Sequence, residues 1–307
     1  MNLFGKTGSL NNLIAVKLQG GLGNQMFQYA AAKALSIKRY TPLLLDLSFL
    51  EQSAAKPPDD FTARQYELGI FKNIKQEFVT DQIRELFSTA SRKQLWLKRF
   101  GLSYPTIYHE SSFEFNGDFF LQKPTVLLDG YWQTERYFLH EADEIIKAFT
   151  FPALVASDEN NNLLGEIKNS LAVSVHVRRA DYLQPAIAAL HGTCSVDYYN
   201  AGIRYFQSLF PSAIFYFFSD DAAWVKDNFT DQLPGSVLVK NNQGADSWKD
   251  IYLMSSCHHH IIANSSFSWW GAWLNPDQDK IVVAPSKWFC NTDRTYKDVI
   301  PAAWIQL

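Results

Sequence analysis

A chain of 307 residues in which 47% are hydrophobic can bury more than one core, and its length alone predicts about two domains. Its formal net charge of −3 excludes the basic footprint of a nucleic-acid-binding domain. Any cluster of arginines is therefore a local site for a small anion and not part of a basic surface.

The first dozen residues, MNLFGKTGSLNN, hold no long apolar core, so they read as a loose tail and not as a signal peptide. LIAVKLQ (Leu13 to Gln19) is a short run rich in branched residues. GGLGN follows, then MFQYAAAKALSIKR with helical character. PLLLDLSF (Pro42 to Phe49) is a second buried strand. Strand, glycine turn, helix and strand predict a parallel sheet. Residues 51–125 are less regular: a KPPDD loop, an aromatic-rich polar stretch and a helix around Asp81 to Arg99. TVLLDGYW (Thr125 to Trp132) reads as another strand, and ERYFLHEADEIIKAF as an amphipathic helix.

FPALVASDENNN (Phe151 to Asn162) is polar, with a proline and consecutive asparagines, and marks a domain boundary. The expected domains are 1–155 and 156–307. Alternation then restarts. LAVSVHV, AIFYFFS, SVLVK, HIIAN and KIVVAP are predicted strands, separated by helices over VDYYNAGIRYFQSLF, DDAAWVKDNF, SWKDIYLMSSC and SSFSWWGAWL. The fold class is α/β, with a Rossmann-like second domain. Ligands of such sheets bind at the carboxyl ends of the strands. The polar clusters there are Gln19 to Asn24, His176 to Asp181, Ser219 to Asp221 and Asn264 to Ser268.

In HVRRAD, alternation along a strand puts His176 and Arg178 on one face and Arg179 on the other. Arg178 can present a planar fork of donors to a phosphate. Arg179 is expected to be a structural ion-pair partner, with Asp181 as a candidate. GGLGN suits an anion at a helix N-terminus, but it is not the dinucleotide fingerprint G-x-G-x-x-G, because Met26 stands at the third position. That failure argues against a nicotinamide oxidoreductase. ANSSFSWWGAW places Asn264, Ser265, Ser266 and Ser268 where a helix begins, more hydroxyls than one cap needs. The cysteines Cys194, Cys257 and Cys290 match no zinc spacing, and the run CHHHII cannot converge three side chains on one ion. D-Q-D (Asp277 to Asp279) follows a proline loop and reads as a solvated turn. No metal site and no cofactor are expected.

HVRRAD resembles the H-x-R-R-x-D motif of fucosyltransferases that use GDP-fucose. GGLGNQMFQYAAAKAL, DGYWQTERYF, HGTCSVDYY, FSDD and IIANSSFSWWGAWLNP resemble the bacterial α-1,2-fucosyltransferases, in order from about Leu13 to Pro285. The resemblance implies a GT-B-like fold, two Rossmann-like domains facing across a cleft. The first domain would take the acceptor and the second GDP-fucose. It implies a metal-independent, inverting enzyme moving fucose to the 2-hydroxyl of a terminal β-galactose, on an oligosaccharide or a lipid-linked glycan. Negative charge developing on the β-phosphate would fall to Arg178, helped by His176 and the N–H groups near Ser266. Asp250 would recognise guanine or ribose, and Ser219 and Asp220 would lie near the nucleoside. Asn24 and Gln25 would reach the fucose or pyrophosphate, and Asn264, Ser265, Ser266 and Phe267 would complete the donor site. The base stays open between Asp181 and His191; the glutamate that α-1,6 relatives carry after the arginines is absent here. Alternatives are a non-catalytic sugar-nucleotide or glycan-binding protein, or a fucosyltransferase of different linkage. With three unpatterned cysteines and no run of about 18 apolar residues, the expected place is the cytoplasm, free or peripheral at the inner membrane.

Overall fold

The computed structural model describes residues 12–55, 64–87, 105–240, 242–290 and 295–307, and within these not the side chains of Asp181 and Ala186. The expected loose tail before Asn12, the KPPDD loop from Lys56 and the helix beyond Phe87 lie outside the described residues. The chain forms two compact units, one running to Thr150 and the other starting at Phe151.

In the first unit, β1 (Ile14–Lys17), β2 (Leu43–Asp46), β3 (Thr106–His109) and β4 (Val126–Asp129) form a parallel sheet in the order β2-β1-β4-β3. Between β1 and β2 runs α1 (Leu22–Arg39), buried over most of its circumference, as its MFQYAAAKAL sequence demands. Lys38 and Arg39 complement its C-terminal dipole, and Tyr40 closes it at φ 51°. Among the described residues three shorter helices follow: α2 (Ser48–Ala55), α3 (Asp81–Phe87) and α4 (Ala142–Ala148). The expected long helix over ERYFLHEADEIIKAF is two 3₁₀ turns leading into α4. β3 escaped the sequence reading because it is an edge strand whose four residues alternate between half-buried and exposed.

In the second unit, β5 (Ala172–Val177), β6 (Ile214–Ser219), β7 (Val237–Leu238), β8 (His259–Ile261), β9 (Val282–Ala284) and β10 (Ile305–Gln306) are parallel, in the order β10-β9-β8-β5-β6-β7. The two-residue β10 adds a sixth strand to the five read from the sequence. The polar stretch before β5 contains a helix, α5 (Asn160–Lys168), started by Asp158, whose carboxylate accepts from the Asn160 N–H at 3.0 Å. Further on come α6 (Pro185–Leu190), α7 (Val196–Leu209), α8 (Ala222–Val225, continuing as a π-helical turn to Thr230), α9 (Trp248–Ser255) and α10 (Ser266–Trp273). The core joins Val173, Val175 and Val177 of β5 to Phe215 and Phe217 of β6, Ile261 of β8, and Ile203 and Phe206 of α7. A Cβ on Gly202 would stand 3.0 Å from Ile261 Cδ1, so α7 packs tightly on β8 here and a larger residue would push the Ile261 side chain aside. Strand order reverses between β5 and β8, and that is where a crevice opens outside the carboxyl ends of an α/β sheet.

Candidate active site

β5 leads directly into the arginines, and its register with β6 fixes their partners. Val177 lies opposite Ser219, so the two residues after each strand face one another. Arg178 Nη1 lies 3.2 Å from Asp220 Oδ2, and Arg179 Nε lies 3.4 Å from Asp221 Oδ2. Asp220 Oδ1 accepts the backbone N–H groups of Arg179 and Ala180, at 2.8 and 3.2 Å. Asp221 also caps α8 through the Trp224 N–H, and Ser219 Oγ accepts from the Asp221 N–H. The Arg179 guanidinium lies 4.1 Å from the centre of the Trp224 ring. Arg179 therefore forms the structural pair expected of it, with Asp221 as partner. Asp220 spends its carboxylate on holding the arginine loop, which leaves little of it for a nucleoside.

His176 is buried, with its ring against Phe267. Burial, reinforced by the Arg178 charge, pushes its pKa down to about 3, so it is neutral at pH 7. In that neutral form it can contribute a hydrogen bond to an anion but no positive charge. Among the described residues its buried Nδ1 has no hydrogen-bond partner. The Arg178 guanidinium lies 5.8 Å from the centre of the Tyr182 ring, which stacks on His191 at 4.9 Å, and His191 packs on Phe289. Tyr182 Oη donates to the Asn264 carbonyl at 3.2 Å. One stack thus connects the arginine loop, the HGTC loop and the end of β8.

Asn264 holds that junction. Its Nδ2 donates to the carbonyls of His191, Gly192 and Trp288, and its Oδ1 accepts from Cys194 Sγ. These bonds make its side chain a clamp between loops. Ser265 is the N-cap of α10, accepting from the Phe267 N–H, and Ser268 Oγ donates to the Ser265 carbonyl. One serine caps, another is buried in the turn, and Ser266 is half-buried at the first position of the helix.

Asp250 lies on the first turn of α9. Its Oδ1 accepts from Asn242 Nδ2 at 2.7 Å, and Asn242 exchanges two amide hydrogen bonds with Asn160. Asp158 and Lys249 continue the chain, 2.7 Å apart. Burial, opposed by the Asn242 hydrogen bond, pushes the Asp250 pKa up to about 7. The side chain of Asp181 lies outside the description.

In the first unit the glycine loop is already occupied. Gln25 Nε2 donates to the carbonyls of Gly20 and Gln65, and its Oε1 accepts from the Glu67 N–H. Gln25 is fully buried and anchors the 65–67 segment. Asn24 Oδ1 accepts from Gln133 Nε2 at 2.8 Å. The Glu67 carboxylate accepts from the Leu22 N–H at the start of α1, with its pKa raised by burial and lowered in part by Arg64. An acidic group at the helix start disfavours a phosphate there.

The chain matches glycosyl transferase family 11 over residues 4–307. It is 34% identical to an alpha-1,2-colitosyltransferase of Escherichia coli, over 96% of this chain and 99% of that protein. It is 33% identical to the O-antigen biosynthesis glycosyltransferase WbnK of Escherichia coli, over 94% and 99%. The chain belongs to glycosyl transferase family 11. In fold it is similar to NodZ alpha-1,6-fucosyltransferase co-crystallized with GDP, with TM-score 0.51 and 16% identity over 86% of this chain and 93% of that one. Two parallel α/β units, as found here, are the components of a GT-B-like fold.

Several residues of this family 11 site carry no signal of their own in the sequence. Tyr182, Asn242 and Asn160 matter through partners 9, 8 and 82 positions away. The histidine run, by contrast, is fully engaged in structure. His258 and His259 accept the backbone N–H groups of Ala172 and Ile281, and His260 lies between Ser174 and Asn275. Asp277 accepts the Asp279 N–H within a turn. Among the described residues no group of three or more His, Cys, Asp or Glu is placed to hold a metal ion, and no helix is long and apolar enough to cross a membrane.

Proposed function

We propose that this family 11 transferase moves L-fucose from GDP-fucose to the 2-hydroxyl of a terminal β-galactose, with inversion and without a metal ion. The observation that carries the reading is the construction of the arginine loop at the switch point of the second sheet. Asp220 and Tyr182 fix the Arg178 guanidinium beside buried His176, close to the start of α10. That set suits a diphosphate whose charge grows as the sugar leaves. Arg178 supplies the charge. His176 supplies a neutral hydrogen bond, and the first turn of α10 supplies N–H groups. Asp250 accepts the adjacent N–H donors of guanine, and Asn242 orients it. The base for the acceptor hydroxyl comes from His191 or Asp181.

The colitosyltransferase relative supports a second donor, because colitose differs from fucose only in lacking the 3-hydroxyl. Incubation with GDP-fucose and lactose, followed by NMR of the product, tests the reading. A fucosyl α-linkage to O2 of galactose supports it. Turnover of GDP-colitose alone selects the second donor. GDP binding without any product reduces the protein to a sugar-nucleotide-binding module.

The raised pKa of Asp250 gives a pH dependence. Only the ionised carboxylate is a full acceptor pair for guanine. Below about 7 it is protonated and that contact weakens; above, it is complete. The preference for GDP over ADP is therefore expected to increase up to about tenfold between pH 6 and pH 8. The ratio of the two affinities cancels ionisation of the phosphates themselves. Calorimetric titration at both pH values checks it, and a flat ratio removes Asp250 from the base contact.

A further inference from the structure

An aspartate accepts both N–H donors of a base only while it is ionised and aimed, and Asp250 depends for both on side chains around it. Among the described residues its carboxylate has one side-chain donor, Asn242 Nδ2. An asparagine amide can turn either end toward a neighbour. Its NH2 end supports a carboxylate, and its carbonyl end would repel one.

The choice between the two ends is made further out. Asn242 Nδ2 also donates to Asn160 Oδ1 at 3.1 Å, and Asn160 Nδ2 donates to Asn242 Oδ1 at 2.9 Å. Turning both amides over together would preserve this exchange, so the pair does not set its own direction. Asp158 does. Its Oδ1 accepts from Asn160 Nδ2 at 2.7 Å and from the Asn160 backbone N–H at 3.0 Å. An ionised carboxylate only accepts. Asp158 therefore fixes Asn160, Asn160 fixes Asn242, and the donor end of Asn242 falls on Asp250.

Lys249 keeps Asp158 ionised. Its Nζ lies 2.7 Å from Asp158 Oδ2 and 3.0 Å from Asp246 Oδ1. The Lys249 hydrogen bond, joined by the Asn160 N–H, holds the Asp158 carboxyl below its ordinary range, and the same bond raises the lysine. With side chains 16% and 7% exposed, Lys249 and Asp158 face little competition from water. A lysine in the first turn of α9 opposes the helix dipole, so the helix itself gains nothing from it. The charges acting on the amide chain are thus Asp158, Lys249 and Asp246. α10, which packs on α9, carries none, and α5, which also packs there, carries Glu166 and Lys168 only at its far end from Asn160. Glu159 and Lys240, close to the amides in sequence, are exposed.

We propose that Asp158 and Lys249 are positioning residues for the nucleotide base: through Asn160 they fix which end of the Asn242 amide meets Asp250, and so set the selectivity for guanine. The proposal rests on Asp250 contacting the base, as inferred above.

Asp158→Asn tests it. An amide at position 158 turns its oxygen to Lys249 and its NH2 to Asn160. Both asparagines then turn over, and the Asn242 oxygen meets Asp250. Loss of the donor favours the protonated acid, so the Asp250 titration is expected to move up from about 7 by roughly two pH units. At pH 8 the preference for GDP over ADP is expected to fall about fivefold to tenfold, with ADP affinity within about twofold of the parent. Asp158→Asn/Lys249→Met frees the new amide to face Asn160 with its oxygen again. This double variant is expected to regain most of the preference while losing further thermal stability. A merely structural pair would lose preference and stability together.

Asp250 is titrated by carboxyl-carbon NMR in the nucleotide-free protein, its signal assigned with Asp250→Asn. Calorimetry gives the GDP and ADP affinities across the same pH range. A parental titration in Asp158→Asn, or a double variant that behaves as the single one, overturns the proposal. Should Asp158→Asn fail to fold, Asn242→Ala removes the donor directly, and an unshifted Asp250 titration there overturns it equally. NMR shifts as expected, with a parental GDP-over-ADP preference that does not vary with pH, refute the base contact of Asp250 and leave the amide chain.

Discussion

Arg178→Lys is expected to lower turnover on the order of 100- to 1000-fold, the loss typical of one strong donor to a developing anion. Lysine keeps the positive charge, and it can still approach Asp220, which now lies 3.2 Å from Nη1. It loses the planar fork that binds two phosphate oxygens at once, and the stacking of a flat cation on Tyr182. Folding is expected to survive, because Asp220 still holds the loop through the Arg179 and Ala180 N–H groups. Arg179→Lys makes the contrast. Its guanidinium lies over Trp224 and pairs with the residue that caps α8. That variant is expected to lose thermal stability while the folded fraction keeps most of its rate. Steady-state kinetics and thermal unfolding of both variants check the pair. Near-parental turnover of Arg178→Lys would remove the arginine from the phosphate.

Asp250→Ala is expected to weaken GDP by one to two orders of magnitude. Guanine donors left unpaired in a buried site cost roughly 1–3 kcal/mol, more where a charge was the acceptor. The surroundings are expected to tolerate the change, since Asn242 keeps its amide pair with Asn160. The preference for GDP over ADP and UDP is expected to narrow with it. Arg178→Ala is expected to weaken all three diphosphates alike, because phosphate is common to them. Calorimetric titration of the two variants with the three nucleotides distinguishes base from phosphate. Parental GDP affinity in Asp250→Ala would place the base elsewhere.

The second unit was the more legible half. β5 and β6 are long, buried and rich in branched or aromatic residues, so their ends could be found and the polar residues after them inspected. What sequence could not supply was register. The Val177–Ser219 pairing explains why S-D-D accompanies R-R: each aspartate holds an arginine or its loop. Sequence alone offers Asp181 as the partner of Arg179, where the register supplies Asp221. Burial was equally hidden. The sequence does not show the charge state of His176, and with 4% exposure it is neutral. The loop-tying bonds of Asn264 and Gln25 join residues far apart in sequence and depend on the fold. In the first unit, β3 is short and half-exposed, so Glu110 and His109 at its end carried no signal.

If side chains and helix N–H groups handle the leaving diphosphate without a metal ion, GDP-fucose is turned over with lactose in excess EDTA. The expected result is a rate equal to that of the untreated enzyme, with no gain on adding magnesium or manganese. Complete loss of turnover in EDTA, restored by manganese, would contradict it and return attention to Asp277 and Asp279.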